Sequence, residues 1–285
     1  MNIIHKELNK LSIACDNFSI LQDKDGITVA RIVSGEKSYV VKCFQKDEHK
    51  REMGNYRLLE SLGVPTIRVI ASTDSALLLE DIDCSPVYRL GIEEDMSDPA
   101  VVRRIAEWYK QLHSQGYGYV CQNGESMYDE ADFFTLENIA SIKDKTETQD
   151  APAWGLLEQN YAAISDLLSK ARRTITYNDF YYTNMVVAKD NSSALMFDYN
   201  LLGKGYAYTD VRNVLSSLSE EAGKAFLKEY GKFDPAEKAL DDVVSVVVTL
   251  HLACLRENFP WWAQTLLDEL NTTFIEKIEL LRRFQ

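Results

Sequence analysis

Residues 176–187 of the chain read TYNDFYYTNMVV. This stretch contains Asp179 and Asn184, and the LMFD sequence that follows it ends at Asp198. Asn184 lies five positions after Asp179, and Asp198 lies fourteen positions after Asn184. At such spacing one carboxylate can orient and deprotonate a hydroxyl, while the amide oxygen and the second carboxylate supply hard oxygen ligands for Mg²⁺ on nucleotide phosphates. The pattern is typical of a phosphoryl-transfer site.

The residues around these polar positions predict a β-hairpin. Met185 to Ala188 and Ala194 to Phe197 are apolar runs, and the NSS sequence at 191–193 is a turn signal between them. The polar side chains would then lie on the loops of this hairpin. Asn and Asp near strand ends often act only as turn formers, which is the alternative interpretation for each residue taken alone. The ordered set favours the functional interpretation.

Length and composition predict an ordinary folded protein. The 285 residues are enough for one large domain or two lobes, and 46% of them are hydrophobic and 26% charged. The cysteines are scattered and never form a C-x-x-C pair, which disfavours a disulfide framework or a zinc site. They are Cys15, Cys43, Cys84, Cys121 and Cys254.

The sequence predicts a cytoplasmic protein that does not enter a membrane. The N-terminal segment up to Asn17 is interrupted by charged residues such as Lys6 and Glu7, so it lacks the apolar core of a signal peptide. The longest uncharged apolar run, Val243 to Leu255, is too short to span a bilayer and predicts a buried helix.

The net charge of −13 is concentrated in the C-terminal part of the chain. Residues 1–83 hold 11 Lys and Arg against 13 Asp and Glu, and residues 84–285 hold 20 against 31. The resulting negative field disfavours nucleic acid and anionic membranes as partners and would favour a cationic small-molecule substrate. Solubility alone also accounts for an acidic composition.

The sequence pattern predicts an α+β fold with two lobes, residues 1–83 and 84–285, and a cleft between them. The first lobe would be a small antiparallel sheet with one helix, from Asp47 to about Leu62. Its predicted strands are Phe18 to Leu21, Ile27 to Val33, Lys37 to Phe44, Ile67 to Ala71 and Ala76 to Glu80. The second lobe would be mainly helical. One predicted helix starts at Pro99 and ends before Gly116. Further helices are predicted at residues 153–171, 210–218, 220–230, 235–256 and 261–282. Residues 143–151 are predicted to be a polar loop.

Lys42 and Glu52 extend the candidate site into the first lobe. Lys42 shares a strand face with Val40 and Phe44, so its side chain would be half enclosed or would reach past them to water. Glu52 lies one turn into the following helix, in position to pair with Lys42 and hold its ammonium against nucleotide phosphates.

Several motifs together resemble the aminoglycoside phosphotransferase and choline kinase family, which has a protein-kinase-like fold. The family's H-G-D-x-x-x-x-N loop is similar to YNDFYYTN at 177–184, and its I-D-[FW] element is similar to FDY at 197–199. Its E-x-x-x-L-x-x-L segment followed by G-V-P resembles the sequence from Glu52 to Pro65. Its L-x-x-L-H segment resembles YKQLH at 109–113.

The resemblance implies roles for single residues. Asp179 would be the catalytic base, Asn184 and Asp198 would hold Mg²⁺, and Lys42 with Glu52 would position the phosphates of ATP or GTP. Residues 79–82 would form the inter-lobe hinge, where the backbone of Glu80 and Ile82 would hydrogen-bond a purine. Asp210 resembles a position that braces the catalytic loop, although a helix N-cap is an equal interpretation.

Three positions depart from the family pattern. Tyr177 stands where the family has His, so the sequence does not say whether Tyr177 replaces the hydrogen bonds that the histidine ring makes in relatives. Asn178 stands where the family has Gly, and Asn tolerates positive φ better than other non-glycine residues. The loop from Gln22 to Gly26 has a single glycine, so it would cover the phosphates more loosely than a G-x-G-x-x-G loop.

The resemblance implies a Mg²⁺-dependent kinase that phosphorylates a hydroxyl of a small molecule, such as an aminoglycoside-, choline- or amino-sugar-like compound. The alternative is a non-catalytic nucleotide-binding or structural relative with the same fold. In this family, helices of the second lobe build the acceptor site, and some of its segments combine acidic and aromatic side chains that could hold an amine or a sugar ring. Solvated helix ends and core aromatics account for the same segments, which is the favoured interpretation. The segments are residues 129–134, Tyr206, Tyr208 and residues 259–262. The sequence leaves the oligomeric state open.

Overall fold

The computed structural model describes residues 3–284, which fall into two compact units. The first unit contains the residues up to Gly116, Tyr177–Leu202 and Asn213–Gly231. The second contains Tyr117–Thr176, Gly203–Arg212 and the chain from Lys232 onward. The residues predicted to bind the nucleotide and Mg²⁺ and the predicted base belong to the first unit. The predicted lobe boundary at residue 83 stays a prediction.

A five-stranded antiparallel sheet dominates the start of the first unit. Its strands are β1 (Asn17–Lys24), β2 (Ile27–Ser34), β3 (Lys37–Phe44), β4 (Val69–Ser72) and β5 (Ala76–Glu80). They lie in the order β1-β2-β3-β5-β4. The turns on either side of β2 use Gly26 at φ +87° and Gly35 at φ +60°, a conformation that glycine adopts without strain. All five predicted strands are present, although β4 covers Val69–Ser72 where Ile67 to Ala71 was predicted.

Two helices accompany this sheet. Helix α1 (Ile3–Lys10), which the sequence did not predict, packs Ile4 and Leu8 against buried residues of β2, β3 and β5. Helix α2 (Arg51–Ser61) carries Glu52 in its first turn. The predicted start of this helix at Asp47 is wrong, because residues 47–49 form a separate 3-10 turn and α2 begins without a side-chain cap.

Two smaller sheets contain the remaining strands. Strands β6 (Tyr88–Leu90), β8 (Met185–Ala188) and β9 (Ala194–Met196) form one sheet in that order. Strands β7 (Thr174–Thr176) and β10 (Gly203–Gly205) form an antiparallel pair. The β8–β9 hairpin confirms the prediction, with Met185 opposite Met196 and Asn191 at φ +58° in its turn.

Eight further helices complete the described chain. They are α3 (Pro99–Asn123), α4 (Leu136–Lys145), α5 (Pro152–Lys170), α6 (Ala207–Leu215), α7 (Glu220–Tyr230), α8 (Pro235–Cys254), α9 (Trp261–Glu269) and α10 (Thr273–Leu281). None of the helices within residues 3–284 combines the length and apolar character needed to cross a bilayer.

Several predicted boundaries in this part of the chain are wrong. Helix α3 continues through Gly116 to Asn123, because the apolar stripe resumes with the buried Val120. The predicted 261–282 helix is two helices, because Thr272 adopts a non-helical conformation between them. Helix α4, which the sequence did not predict, buries Ile139 and Ile142 and extends into the predicted 143–151 loop as far as Lys145.

Candidate active site

Lys42 bridges two carboxylates that come from distant parts of the chain. Its Nζ donates hydrogen bonds to Oε1 of Glu52 and to Oδ1 of Asp198, each at 2.9 Å. The second oxygen of Glu52 lies 2.7 Å from the same Nζ. Lys42 is 7% exposed and Glu52 is fully buried, so Lys42 does not reach past its neighbours to water. The predicted pair is present, and β3, α2 and the loop after β9 meet at one ammonium group.

Burial and charge set the protonation of this cluster. Burial acts to lower the pKa of Lys42, but the charges of Glu52 and Asp198 outweigh it, so the pKa is raised. Burial raises the pKa of Glu52 to about 7, although the nearby Lys42 opposes the change. The ammonium form of Lys42 is therefore favoured, and its position depends on both carboxylates.

Asp179 and Asn184 lie together on the loop that precedes β8. The side-chain Nδ2 of Asn184 donates to Oδ2 of Asp179 at 3.0 Å and to the backbone carbonyl of Asp179 at 3.2 Å. Burial, and then the charge of Asp198, raise the pKa of Asp179. Because Nδ2 of Asn184 faces Asp179, its amide oxygen is the atom suited to a cation.

A cleft of about 420 Å³ in the first unit joins these groups. Six of the seven predicted site residues line it, and the seventh, Asp179, contacts one of the six. The six are Lys42, Glu52, Glu80, Ile82, Asn184 and Asp198. Apolar side chains, among them Val29, Val40, Ile67, Leu79 and Leu90, line it as well. A cleft lined by both apolar and charged side chains suits a ligand with a flat ring and an anionic end.

Comparison with known proteins identifies the family. Residues 22–243 match the model of the phosphotransferase enzyme family, APH. The chain belongs to this family. It is therefore a phosphotransferase whose acceptor group is a hydroxyl, and the resemblance seen in the sequence motifs is confirmed. No curated protein matches the sequence.

Solved structures of other phosphotransferases share the fold along nearly the whole chain. Choline kinase LicA from Streptococcus pneumoniae is 14% identical with a TM-score of 0.63, and the match covers 97% of this chain and 98% of that one. Macrolide 2'-phosphotransferase MphH from Brachybacterium faecium is 15% identical with a TM-score of 0.63, covering 96% and 98%. Spectinomycin phosphotransferase is 13% identical with a TM-score of 0.58, covering 95% and 94%. The predicted kinase-like α+β fold is confirmed.

The loop that carries Asp179 in this phosphotransferase contains a residue in the left-handed backbone region. Asn178 has φ +66°, as expected for a residue at the family's glycine position. Its Nδ2 donates to the backbone carbonyl of Leu201 at 3.0 Å, a hydrogen bond that glycine cannot make. Asp198 also has a positive φ of +61°. Asn178 therefore adopts a conformation that glycine favours and adds a tether to Leu201.

Tyr177 connects the two loops that carry the carboxylates. Its side chain is fully buried, and its hydroxyl donates to the backbone carbonyl of Phe197, the residue before Asp198. Its ring packs edge-on against Tyr199, with centroids 6.0 Å apart. The hydrogen bond left in question by the sequence is therefore a link from the Asp179 loop to the Asp198 loop.

We expect Tyr177→Phe to lower kcat about tenfold with little change in nucleotide KM. The variant removes the hydroxyl that donates to the carbonyl of Phe197, and an unsatisfied buried carbonyl costs about 1–3 kcal/mol. The Asp198 loop then loses its link to the Asp179 loop. Steady-state kinetics with a thermal melt would measure both effects. Tyr161→Phe is the matched control, since Tyr161 donates its hydroxyl to the carbonyl of Phe134 in the second unit. Equal kcat values in the two variants would show that Tyr177 has no positioning role.

Other contacts in the first unit were not predicted. Arg51 donates from Nε to the carbonyl of Asn200, and Asn55 donates from Nδ2 to the carbonyl of Tyr199, each at 2.7 Å. Helix α2 thus holds the segment that follows Asp198. The position of Asn55 three residues after Glu52, on the same helix face, was the signal available in the sequence.

The residues suggested for the acceptor lie in the second unit. Asp129 is buried, accepts a hydrogen bond from the backbone N–H of Ala131, and lies 3.6 Å from Arg173. Tyr206 and Tyr208 are buried, whereas Trp261 is 86% exposed. The two buried tyrosines fit the interpretation as core aromatics, whereas the buried Asp129 is not a solvated helix end and the exposed Trp261 is not a core aromatic. None of these residues is assigned to the acceptor.

Asp210 lies inside the first turn of α6, which begins at Ala207. It is therefore not the N-cap residue of that helix, and the N-cap interpretation of Asp210 is wrong. Its side chain is almost fully buried.

Proposed function

We propose that this phosphotransferase transfers the γ-phosphate of ATP or GTP, with Mg²⁺, to a hydroxyl of a small molecule. Aminoglycoside-, choline- and amino-sugar-like compounds are the first candidates, in line with the acidic charge of the chain. The observation that carries the proposal is the meeting of Lys42, Glu52 and Asp198 beside the Asp179–Asn184 pair. Solved relatives add support, because spectinomycin phosphotransferase was determined with ADP and spectinomycin, and choline kinase LicA with AMP.

The residues of the cluster fit a divalent cation. Asp198 and Asn184 offer a carboxylate and an amide oxygen, which are hard ligands of the kind that Mg²⁺ prefers. Three carboxylates, Asp179, Glu52 and Asp198, share one ammonium, that of Lys42, so the cluster has an excess of negative charge. Magnesium held there would neutralise charge on the phosphates.

The residues of the chain have separate tasks in this proposal. Lys42, fixed by Glu52, directs its ammonium toward the phosphates. Asp179 aligns the acceptor hydroxyl and receives its proton, and the raised pKa of this carboxyl brings it closer to that of a useful base at neutral pH. The backbone of Glu80 and Ile82, which also line the cleft, holds the base.

A Mg²⁺-dependent screen for ADP or GDP release tests the proposal. The panel contains aminoglycosides, choline-like amines, amino-sugars, fructosamines and thioribose compounds, and Asp179→Asn provides the blank. We expect release with at least one acceptor class, lost when Mg²⁺ is chelated. A panel without release above the blank would contradict the proposal and favour a non-catalytic relative. A nucleotide-dependent shift in melting temperature would then separate a binding protein from a scaffold.

A further inference from the structure

Arg31 connects the five-stranded sheet to the segment that follows it. Residues 80–83 overlap the predicted hinge at residues 79–82 and extend it by Asp83. The Nε of Arg31 donates to Oδ2 of Asp81 at 2.7 Å, and its Nη2 donates to Oδ1 of Asp81 at 3.1 Å. The same Nη2 also donates to the carboxylate of Asp83. One guanidinium therefore holds two carboxylates of a four-residue segment.

The central carboxylate of this network is buried. Asp81 is 3% exposed and also accepts a hydrogen bond from Oγ of Ser38 on β3 at 2.5 Å. Burial acts to raise the pKa of Asp81, but the hydrogen bonds from Arg31 and Ser38 outweigh it, so the pKa is lowered. The ionised form of Asp81 is thus favoured, with donors from two strands.

The network lies at the wall of the cleft. Side chains alternate along a strand, so Arg31 shares the face of β2 that carries Val29, and both line the cleft. Asp81 and Asp83 line it as well, in the same segment as Glu80 and Ile82. The backbone of the segment then turns sharply, since the N–H of Cys84 donates to the carbonyl of Asp81 at 3.1 Å.

We propose that Arg31 is a positioning residue for the nucleotide base, because it ties Asp81 and Asp83 to the sheet and so fixes the hinge backbone at Glu80 and Ile82. The inference rests on the proposed function, since it requires a purine in this cleft. A purine edge is recognised by backbone groups at fixed spacing, and loss of the tie would let residues 80–83 adopt several orientations. Each binding event would then include the cost of ordering the segment.

A purely structural role for Arg31 makes a different prediction. An ion pair that only stabilises the fold would change the melting temperature and leave the affinity of the folded protein for nucleotide unchanged. A positioning role changes the affinity for the base itself, including that of a nucleoside without phosphates. It leaves the acceptor KM and kcat in place, because neither Lys42 nor Asp179 contacts Arg31.

The test compares Arg31→Met with a matched control. Arg89 donates from both terminal nitrogens to Asp95 at 2.7 Å, and the side-chain exposures of this pair, 31% and 5%, resemble the 30% and 2% of Arg31 and Asp81. Arg89 alternates along β6 with the cleft-lining Leu90, so its side chain lies on the opposite face. Arg89→Met removes an equivalent ion pair outside the cleft.

For Arg31→Met we expect nucleotide KM and the Kd of adenosine or guanosine to rise about tenfold, with kcat and acceptor KM unchanged. Arg89→Met should lower the melting temperature without either change. Ser38→Ala, which removes one donor to Asp81, should give a smaller rise and serves if Arg31→Met does not fold. Unchanged nucleoside affinity in the Arg31→Met or Ser38→Ala variants, or an equal change in Arg89→Met, would overturn the inference.

These results also separate the inference from the proposed function. A wild-type protein that transfers phosphate, with an Arg31→Met variant of unchanged nucleotide KM, would overturn the inference alone. A wild-type protein that neither binds a nucleoside nor releases ADP or GDP would overturn both.

Discussion

Replacing Asp179 by Asn is expected to lower kcat about a thousandfold, because an amide cannot accept the proton of the acceptor hydroxyl. The nucleotide Kd should change little. The substitution keeps the size of the side chain, and its oxygen can still accept the hydrogen bond that Asn184 donates at 3.0 Å. Steady-state kinetics give kcat, and titration calorimetry with the Mg²⁺ nucleotide gives Kd. The combination of lost turnover and retained binding is what a catalytic base predicts.

Asp190→Asn is the control for this substitution. Asp190 lies in the turn between β8 and β9, close in sequence to the Asp179 loop. It is exposed and accepts a hydrogen bond from the backbone N–H of Ser192 at 3.0 Å. It undergoes the same change of charge without contact with the cleft, so we expect wild-type kcat. Substantial turnover by Asp179→Asn would remove Asp179 from the role of base.

Lys42→Met is expected to impair both turnover and stability. The substitution leaves Glu52 fully buried without its cation, and breaking a buried ion pair costs about 3–5 kcal/mol. It also removes a charge directed at the phosphates, for which we expect a loss of about 10²–10³-fold in kcat/KM. Urea unfolding and steady-state kinetics measure the two effects separately.

The double variant Lys42→Met/Glu52→Gln separates the two effects. Glu52→Gln removes the buried carboxyl that would otherwise have to stay ionised without its cation or take up a proton, so much of the lost stability should return. Turnover should not return, because no cation faces the phosphates. Glu52→Gln alone serves as the reference for the effect of position 52. Recovery of turnover together with stability would mean that Lys42 is only a structural residue.

The strands of the first unit could be predicted because their signals are local. Gly26 and Gly35 mark tight turns, and the runs between them alternate in the manner of half-buried strands. Helix α1 could not be predicted in the same way. Eight residues are too few to form a stable helix alone, and the helix exists because Ile4 and Leu8 are buried against the sheet.

Other elements depend on partners distant in the sequence. Strand β6 has three residues and pairs with β8 about a hundred positions later, so its own sequence carries almost no strand signal. Gly116 indicates the end of α3 by local propensity, yet the helix continues because packing outweighs the cost of about 1 kcal/mol for a glycine.

The candidate site divides in the same way. The loop that contains Asp179 and Asn184 has a fixed internal spacing, so its polar residues stand out in the sequence. The tie between Arg31 and Asp81 spans 50 positions and depends on where a long side chain reaches across a sheet. Strand alternation places Arg31 on the same face of β2 as Val29. Only the folded chain shows that this face lines the cleft and that Asp81 lies within reach.

The most direct test of the central claim is the position of a divalent ion in crystals grown with Mn²⁺ and a non-hydrolysable triphosphate analogue. Anomalous scattering locates the ion without reference to activity. We expect an ion coordinated by the carboxylate of Asp198 and the side-chain oxygen of Asn184, with Lys42 on the phosphates and the terminal phosphate facing Asp179. An ion bound elsewhere, or an analogue outside the cleft lined by Lys42 and Ile82, would contradict the assignment of this cluster to phosphoryl transfer.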